Sequence, residues 1–265
     1  MRTLTCILCG IICSGYTLFA QSSPIQPEQE PQRHYLGMIL GLGQNIQLGD
    51  AYVDCPSAIF TGGTKFGYSL GLLYEYTLSG IFTVGVSATY SSHGINATFT
   101  ETEPCSIDYT VNGVPQTTVA NISFKNDLAV DLGNIAIAPY IKWNPWKFMF
   151  LRVGVAVGTN VSTSLIHTKT VAQRTVRLPN GEIWTVKVDG EPTLQDSEVL
   201  EAVSPQIYIQ PALGFNIPFS EKLIFSPIFE YGIPLANVSD WGDNFKVSTW
   251  RINFELRLQI AKKNY

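Results

Sequence analysis

The amino-acid sequence predicts an all-β fold, an eight-stranded antiparallel up-and-down β-barrel, over residues 34–265. Three observations support this fold class. From His34 onward, apolar residues recur with a period of two and no long stretch has helical spacing, which is typical of half-buried β-strands. The alternating runs number eight, and short and long connections alternate between them. An even number of antiparallel strands places both ends of the domain on the side of the short turns.

The eight runs share one two-sided pattern, with an apolar face opposite a face made largely of glycine, alanine and serine. They cover residues 34–43, 66–76, 82–91, 135–143, 150–158, 207–217, 223–233 and 250–260. Three connections, TLSGI, NPWK and FSEK, are short enough for tight turns. The others are long, at about residues 44–64, 93–134, 160–206 and 236–248. Two of these contain the hairpin signals Asn112-Gly113 and Asn180-Gly181, which predict strands that continue beyond the main sheet.

The first 33 residues differ in character from the rest of the chain. Residues 1–20 have the layout of a secretory signal peptide, with Arg2, an apolar stretch and a small residue, Ala20, before the expected cleavage site. Residues 21–33 are rich in proline and glutamine and predict a disordered linker. Removal of the signal peptide leaves Cys55 and Cys105, and two cysteines in an exported chain permit a disulfide.

Composition argues against two classes of partner or anchor. The net charge is −4 and only 14% of the residues are charged, so the chain has no basic field that would attract nucleic acid. After the N-terminal segment, no apolar run reaches the roughly 18 residues that a transmembrane helix requires. We therefore expect neither a nucleic-acid partner nor a helical membrane span in the mature chain.

The orientation of the two faces follows from size and charge. An eight-stranded barrel is just wide enough to be filled by side chains, and the small, occasionally charged face suits that interior. None of the apolar-face residues is charged, as a lipid-facing band requires. We therefore predict a transmembrane barrel with its apolar faces outward. Its interior would hold a charge network whose members pair with one another: Glu75, Lys142, Arg152, Glu230, Arg251, Glu255 and Arg257.

Aromatic residues gather near both ends of the predicted strands, as in the interfacial girdles of membrane barrels. Those near the short turns include Tyr74, Tyr76, Phe82, Trp143 and Trp146, and those near the long loops include Tyr90 and Trp250.

Three prolines, Pro139, Pro211 and Pro227, lie within predicted strands. A closed barrel has no free edge where a missing backbone donor is harmless. We expect bulges or ladder ends at these positions; if the prolines instead mark sheet edges, the barrel is open or the strands end elsewhere than predicted.

The combination of a signal peptide, eight amphipathic strands, alternating turns and loops, and the final run WRINFELRLQI resembles the bacterial outer-membrane β-barrel proteins. The resemblance is to the PorT-like group with an outer membrane protein β-barrel domain and to the small barrels of the OmpA and OmpX type. It implies insertion into a Gram-negative outer membrane, with the long loops outside and the termini in the periplasm. It also implies contact with outer-membrane lipid and with the barrel-assembly machinery, which in that family recognises a terminal aromatic residue, here Tyr265. Cys55 and Cys105 would both be extracellular, and a disulfide between them is our hypothesis.

The sequence gives little support for catalysis. His34, His93 and His167 are scattered, and we expect them to be exposed in loops, although Ser91 beside His93 leaves open a membrane-barrel hydrolase or acyltransferase. Metal-ligand spacing and phosphate-cradling motifs are missing from the sequence, so we expect no metal and no cofactor.

The predicted function is therefore non-enzymatic: a structural or binding barrel with a side-chain-filled lumen that acts through its long extracellular loops on an extracellular ligand or protein. One of these loops offers Trp184, which we expect to be exposed, and an acidic run at Asp196, Glu198 and Glu201. A narrow pore or transporter for small or hydrophobic molecules is the alternative.

Overall fold

A computed structural model of the protein describes residues 32–53, 58–111, 114–146, 148–173, 175–178, 181–185, 194–198 and 202–263. The predicted signal peptide, most of the predicted linker, Cys55, Glu201 and Tyr265 lie outside these ranges. The strands are β1 (Gln32–Leu48), β2 (Ala51–Val53), β3 (Ala58–Phe60), β4 (Thr64–Thr77), β5 (Phe82–Ser92), β6 (Ile95–Val111), β7 (Val114–Trp143), β8 (Met149–Val171), β9 (Thr175–Arg177), β10 (Ile183–Thr185), β11 (Leu194–Glu198), β12 (Gln206–Phe215), β13 (Ile217–Pro218), β14 (Leu223–Pro234) and β15 (Lys246–Lys263). Among the described residues, no helix is long and apolar enough to cross a membrane.

Eight of these strands close into a ring. Their order is β8, β12, β14, β15, β1, β4, β5 and β7, and the pairing of β7 with β8 completes the circle. Every pair of neighbours is antiparallel. The predicted fold class, an all-β up-and-down barrel of eight antiparallel strands, is confirmed, and each predicted run contributes one barrel strand.

The three prolines are accommodated without opening the ring. The β7–β8 ladder is interrupted between Ile137↔Val157 and Tyr140↔Gly154, next to Pro139. The β12–β14 ladder is interrupted beside Pro211, and Pro227 lies at the end of the β12–β14 ladder. The register is the same on both sides of each gap, because only local hydrogen bonds are lost where proline lacks a donor. The alternative of an open barrel is wrong.

Two of the long connections consist largely of strand rather than loop. β6 pairs with residues 114–130 of β7 in a hairpin, with Val111 opposite Val114, and residues 124–133 of β7 continue their pairing with residues 162–171 of β8. β11 adds to the outer part of β8. β9 and β10 form a separate hairpin around Gly181, whose φ is +88°. The strands predicted on both sides of the two hairpin signals are found, while Asn112, Gly113 and Asn180 lie outside the described residues. The first hairpin continues the main sheet as predicted, and the second forms a sheet of its own. We call β6, residues 114–133 of β7, residues 162–171 of β8 and β11 the distal extension.

The polarity of the strands reverses where the barrel meets the distal extension. In the barrel part of β7, the exposed residues are apolar and the buried ones are small or polar: Ile135, Ile137 and Ile141 point outward, and Ala136, Ala138 and Lys142 point inward. In the distal part the buried residues are Leu128, Val130 and Leu132. The reversal coincides with a register shift at Gly133/Asn134, where β8 contains one extra residue. Such a bulge turns the following side chains of β8 to the opposite face.

Candidate functional site

The lumen of the barrel contains a compact group of buried ions. Glu75 accepts hydrogen bonds from Nζ of Lys142 at 3.1 Å and from Nη1 of Arg257 at 2.6 Å. Nη1 of Arg152 lies 2.5 Å from Oε1 of Glu255, and its Nη2 lies 2.7 Å from Oε2 of Glu230. All of these side chains are buried except that of Glu230, which is 13% exposed. Because each carboxylate has a cationic partner, the desolvation of these charges is offset by their mutual attraction.

Large neutral side chains complete this ionic layer. Tyr140 donates a hydrogen bond to Oε1 of Glu75 at 3.1 Å, and its ring centroid lies 4.9 Å from the Arg152 guanidinium. Phe150 is fully buried, with Nζ of Lys142 4.1 Å from its ring centroid. A Cβ atom at Gly85 would lie 2.4 Å from the Tyr140 ring, so glycine at that position makes room for the tyrosine.

Arg257 bridges the two halves of the layer. Besides Glu75, it contacts Glu255 at 3.9 Å between Nε and Oε2, and its Nη2 donates to Asn216 at 2.5 Å and to Ser226. Neither Asn216 nor Ser226 was among the predicted network residues. Ser226 could have been recognised from the sequence because it lies on the inward face of the seventh run, two residues before Ile228.

Arg251 is the one predicted network residue that the structure keeps apart from the ionic layer. It is buried at 4% exposure, but its hydrogen bonds go to neutral oxygens. Nη2 donates to the backbone oxygen of Ser92 at 2.8 Å and to Oδ1 of Asn45 at 3.3 Å. Six of the seven predicted residues are therefore joined by ion pairs, and Arg251 stands closer to the distal end of the barrel.

His93 lies next to Arg251 in the structure and is buried rather than exposed. Its Nε2 is 3.1 Å from Oγ of Ser91, and its Nδ1 is 3.3 Å from the hydroxyl of Tyr208. The expectation of exposed loop histidines is wrong for His93 and for His167, which is 3% exposed, because both point into the interior of the strand assembly. His34 lies in β1 with Nδ1 2.7 Å from the hydroxyl of Tyr74.

The luminal cavity lies between the ionic layer and His93. Its volume is about 30 Å³, and its lining includes Ser91, His93, Tyr208, Glu230 and Arg251. A Ser–His pair could act in nucleophilic catalysis only with an orienting acid and with room for a substrate. Here the second nitrogen of His93 meets a tyrosine hydroxyl, and the cavity is too small for an ester. The described residues contain no cluster of three or more His, Cys, Asp or Glu side chains that could hold a metal ion.

The distal extension has its own apolar core, in contrast to the polar lumen below it. This core joins residues of the distal extension to the β2–β3 hairpin, to the segment before β15 and to the start of β15: Ala51, Val53, Ala58, Phe60, Ile95, Ala97, Leu128, Val130, Leu132, Leu165, Val238, Phe245 and Val247. Farther out, Ile107, Ile122, Val171, Val176 and Leu178 form a second cluster. Both clusters bury apolar area as the interior of a soluble domain does.

A polar layer separates the two apolar clusters. Nζ of Lys169 lies 2.6 Å from Glu103 and 3.4 Å from Glu101, and Nδ2 of Asn126 donates to Glu101 at 2.6 Å. Burial lowers the pKa of the Lys169 ammonium, but the hydrogen bond to Glu103 and the charges of both glutamates outweigh burial and raise it above its usual value. Lys169 is therefore a cation throughout the physiological pH range.

Cys105 and Trp184 are partly enclosed by the distal extension. Both pack against the outer apolar cluster, so the expectation that Trp184 is exposed is wrong. Cys105 is a free cysteine among the described residues, and Cys55 lies outside them, so the disulfide stays a prediction. Asp196 and Glu198 lie in β11 opposite β8, with Asp196 paired to His167.

The predicted girdle aromatics lie at the two ends of the barrel strands. At the short-turn end, Phe82 pairs with Trp143, and Tyr76 pairs with His34. At the other end, Tyr90 pairs with Ile135, and Nε1 of Trp250 donates to Oε1 of Gln44 at 3.4 Å. The exposed members are Tyr74, Phe82, Tyr90, Trp143 and Trp146, and Tyr76 and Trp250 are half-buried.

Comparison with known proteins yields distant similarities of structure. No protein-family model and no curated protein matches the chain. Among solved structures, Ail, the attachment invasion locus protein of Yersinia pestis, is 11% identical, with 85% of this chain and 99% of Ail covered and a TM-score of 0.35. Neisserial surface protein A is 8% identical over 86% of this chain and 97% of its own, with a TM-score of 0.39. The outer membrane protease OmpT from Escherichia coli is 8% identical over 91% of this chain and 99% of its own, with a TM-score of 0.32. These values carry no inference about function, and the assignment of the barrel follows from the strand pairing within this chain.

Proposed function

We propose that this chain is a non-enzymatic β-barrel of the bacterial outer membrane that acts as a structural or binding protein through its distal extension. The observation that carries the proposal is the reversal of polarity along β7. The barrel part of β7 exposes isoleucines on its outer face, whereas the distal part exposes Lys125 and Asp131 there, with the half-buried Asp127 between them. An apolar outer band is stable against lipid hydrocarbon, and a charged outer face is stable against water. The reversal supports a boundary between membrane and water near Gly133.

Outer-membrane lipid and the barrel-assembly machinery are the partners that this placement requires. A groove of about 400 Å³ on the outer surface of the barrel, lined by Leu42, Phe66, Trp250, Ile252 and Phe254, is apolar enough for a lipid acyl chain. Two aromatic residues of the groove, Phe66 and Trp250, lie near the end of the apolar band, where membrane barrels concentrate such side chains. Cell fractionation followed by electrophoresis with and without boiling tests the placement. We expect recovery in the outer membrane and slower migration after boiling, whereas recovery as a soluble protein would reject it.

The binding role rests on the architecture of the distal extension. Segments of this length beyond a compact barrel usually have a role, and here they form a folded sheet with an apolar core rather than irregular loops. Among the described residues, β6 pairs on one side with β7 and on its other side only at Asn96, which meets Thr64. Within the part of the chain that the structure describes, residues 97–111 therefore present an open strand edge. Such an edge can accept an extended segment of another protein by main-chain hydrogen bonds.

A hairpin truncation tests this role directly. Thr100 and Lys125 face each other across β6 and β7, so an Asn-Gly turn can replace residues 101–124 and join them. We expect the truncated chain to remain a barrel with unchanged heat-modifiable migration, and we expect cells that express it to lose adhesion to protein-coated surfaces. Adhesion equal to that of the intact chain would contradict a binding role of the extension. A variant with Val119→Thr on the outer face of the intact hairpin serves as a control for expression.

Transport of small or hydrophobic molecules is the second candidate. The ionic layer and its aromatic neighbours occupy the lumen, and the apolar groove faces outward rather than into it, so neither supports a path through the barrel. Planar-bilayer recordings distinguish the two functions. We expect no stable channels from the refolded chain, and ohmic conductance would favour transport instead.

A further inference from the structure

We infer that the barrel lumen contains a binding site for a small inorganic anion of halide size, held by Arg251. The first observation is a count of charges. The ionisable network of the described barrel interior comprises four cations and three carboxylates, and Lys142, Arg152 and Arg257 already pair with those carboxylates. The remaining cation, Arg251, has no carboxylate within ion-pair distance among the described residues; Glu230 faces it across β14 and β15 and attracts it from farther away, but Glu230 is the ion-pair partner of Arg152. A buried charge without a counter-charge is strongly unfavourable, and one monovalent anion would neutralise it.

The second observation is the state of the guanidinium itself. Arg251 is only 4% exposed to solvent. Both of its hydrogen bonds come from Nη2, to Ser92 and to Asn45. Its Nε is buried and has no hydrogen-bond partner among the described residues. Unpaired buried donors are rare in native proteins and commonly mark an ion or a water molecule.

The third observation is the cavity beside Arg251. Its volume of about 30 Å³ exceeds the ~10–15 Å³ that one water molecule requires, and it is too small for an organic anion. Hydroxyl and amide side chains that can donate hydrogen bonds surround it: Ser69, Ser87, Thr89, Ser91, Asn134, Thr249 and Asn253. Glu230 also lines the cavity, but its Oε2 is held by Arg152 at 2.7 Å. The lining thus carries two guanidinium groups and one carboxylate, and its net positive charge selects an anion over a cation.

His93 and Tyr208 line the cavity on the side of the distal extension. The hydrogen bonds of His93 with Ser91 and Tyr208 fix the imidazole in place. Val130, Leu132 and Ile95, on the strands that carry the cavity lining outward, belong to the apolar core of the distal extension. A cavity of about 30 Å³ lined largely by buried side chains has room only for a compact ion, so chloride, bromide and iodide are the anions of the class we assign.

Anomalous diffraction tests the site in the full refolded chain. In crystals grown with sodium bromide, we expect an anomalous peak in the luminal cavity within hydrogen-bond distance of the Arg251 guanidinium. Density at that position without anomalous signal would mean water only and would overturn the inference.

Unfolding in urea tests the same site in solution. When sodium chloride replaces sodium isethionate at constant ionic strength, we expect the urea midpoint of the intact chain to rise, by about 1 M at 100 times the Kd of the halide. Arg251→Gln should abolish the dependence on halide and Arg251→Lys should retain part of it, while Lys125→Gln on the outer face of the distal extension should leave it intact. An equal halide dependence in Arg251→Gln, or none in the intact chain, would contradict the site. The Arg251→Lys variant keeps the test valid if Arg251→Gln fails to fold.

Discussion

The barrel and the distal extension are built from the same strands but have opposite polarity. In the barrel, Ile137 is 58% exposed and Lys142 is 2% exposed. A few residues earlier on the same strand, Leu128 is fully buried and Asp131 is exposed. Since the strand pairing continues without a break in the backbone, secondary structure alone does not decide which side chains point inward. Under the proposed membrane placement, the surrounding medium decides it, because lipid favours an apolar exterior and water favours an apolar core.

The two long strands achieve this reversal by different routes. In β7 the inward side chains stay at even positions, and their character changes from leucine and valine to alanine, tyrosine and lysine. In β8 the apolar residues stay at odd positions, with Val155 and Val157 outward in the barrel and Leu165 inward in the extension. The extra residue in β8 rotates the strand between them. Polarity can therefore reverse through composition or through a bulge.

The largest difference in stability between the two regions should appear when one partner of an ion pair is removed. Arg152→Ala leaves Glu255 and Glu230 in the lumen without their shared partner, and we expect a loss of about 3–5 kcal/mol in the free energy of unfolding. In the distal extension, Lys125 and Asp127 form a pair at 2.8 Å with side chains 49% and 38% exposed. Lys125→Ala should cost less than about 1 kcal/mol because water screens that pair. Urea unfolding of both variants in lipid vesicles measures the contrast, and equal losses would contradict a closed lumen.

The second-largest difference between the two regions should be the loss of stability when a leucine is shortened to alanine. Leu128 lies in the apolar core of the distal extension, so Leu128→Ala should cost about 2–5 kcal/mol through the cavity that it creates. Leu72 is 59% exposed on the outer face of β4, and Leu72→Ala leaves no internal cavity, so its cost should be much smaller. Protease digestion of intact cells provides a second measure. We expect Leu128→Ala to make the extension susceptible to cleavage while the barrel stays folded, and uniform resistance would argue against a separate distal core.

The barrel could be predicted from sequence much more fully than the distal extension. Period-two alternation with a glycine-rich second face defines each barrel strand, and the structure places each run in a separate strand of the ring. In β7 the apolar positions change from even to odd between Leu132 and Ile135, and such a change resembles the end of one strand and the start of another. The continuity of β7 through this point is therefore hidden from pattern analysis.

The candidate site was only partly accessible to sequence reasoning. The alternation of side chains along each strand identified the charged residues of the lumen, because every ion on the inward face of a narrow barrel must lie inside. This alternation could not separate Arg251 from the ionic layer, because the partners of a long side chain depend on the register between strands that are far apart in the sequence. It also could not place His93, which precedes β6 and is held to β7 by a hydrogen bond from its backbone nitrogen to the Leu132 carbonyl.

A single charge on the outer face should also separate the two regions. Ile137 and Val119 both point outward from β7, at 58% and 67% exposure. If Ile137 faces lipid, Ile137→Lys should cost about 2–4 kcal/mol, whereas Val119→Lys in water should stay within about 0.5 kcal/mol. Folding yield into lipid vesicles, read from heat-modifiable migration, measures both variants. A matching tolerance of lysine at the two positions would place Ile137 in water and would reject the membrane assignment.

The smallest contrast concerns acid stability in the distal extension. Burial raises the pKa of the Asp127 carboxyl, but hydrogen bonds from Lys125 and from Thr98, at 2.6 Å, outweigh it and hold the pKa below its ordinary value. A carboxyl whose pKa is lower in the folded chain contributes stability above its unfolded pKa of about 3.9, and that contribution is lost as the pH falls through the folded pKa. Asp127→Asn should therefore reduce stability at pH 7 by less than about 1 kcal/mol, given the exposure of the pair, and should leave stability below pH 3 nearly unchanged. Protease susceptibility of the extension, measured from pH 7 to pH 3, reports this difference without unfolding the barrel. A destabilisation of Asp127→Asn that persists undiminished at pH 3 would show that the side chain acts through its shape rather than its charge.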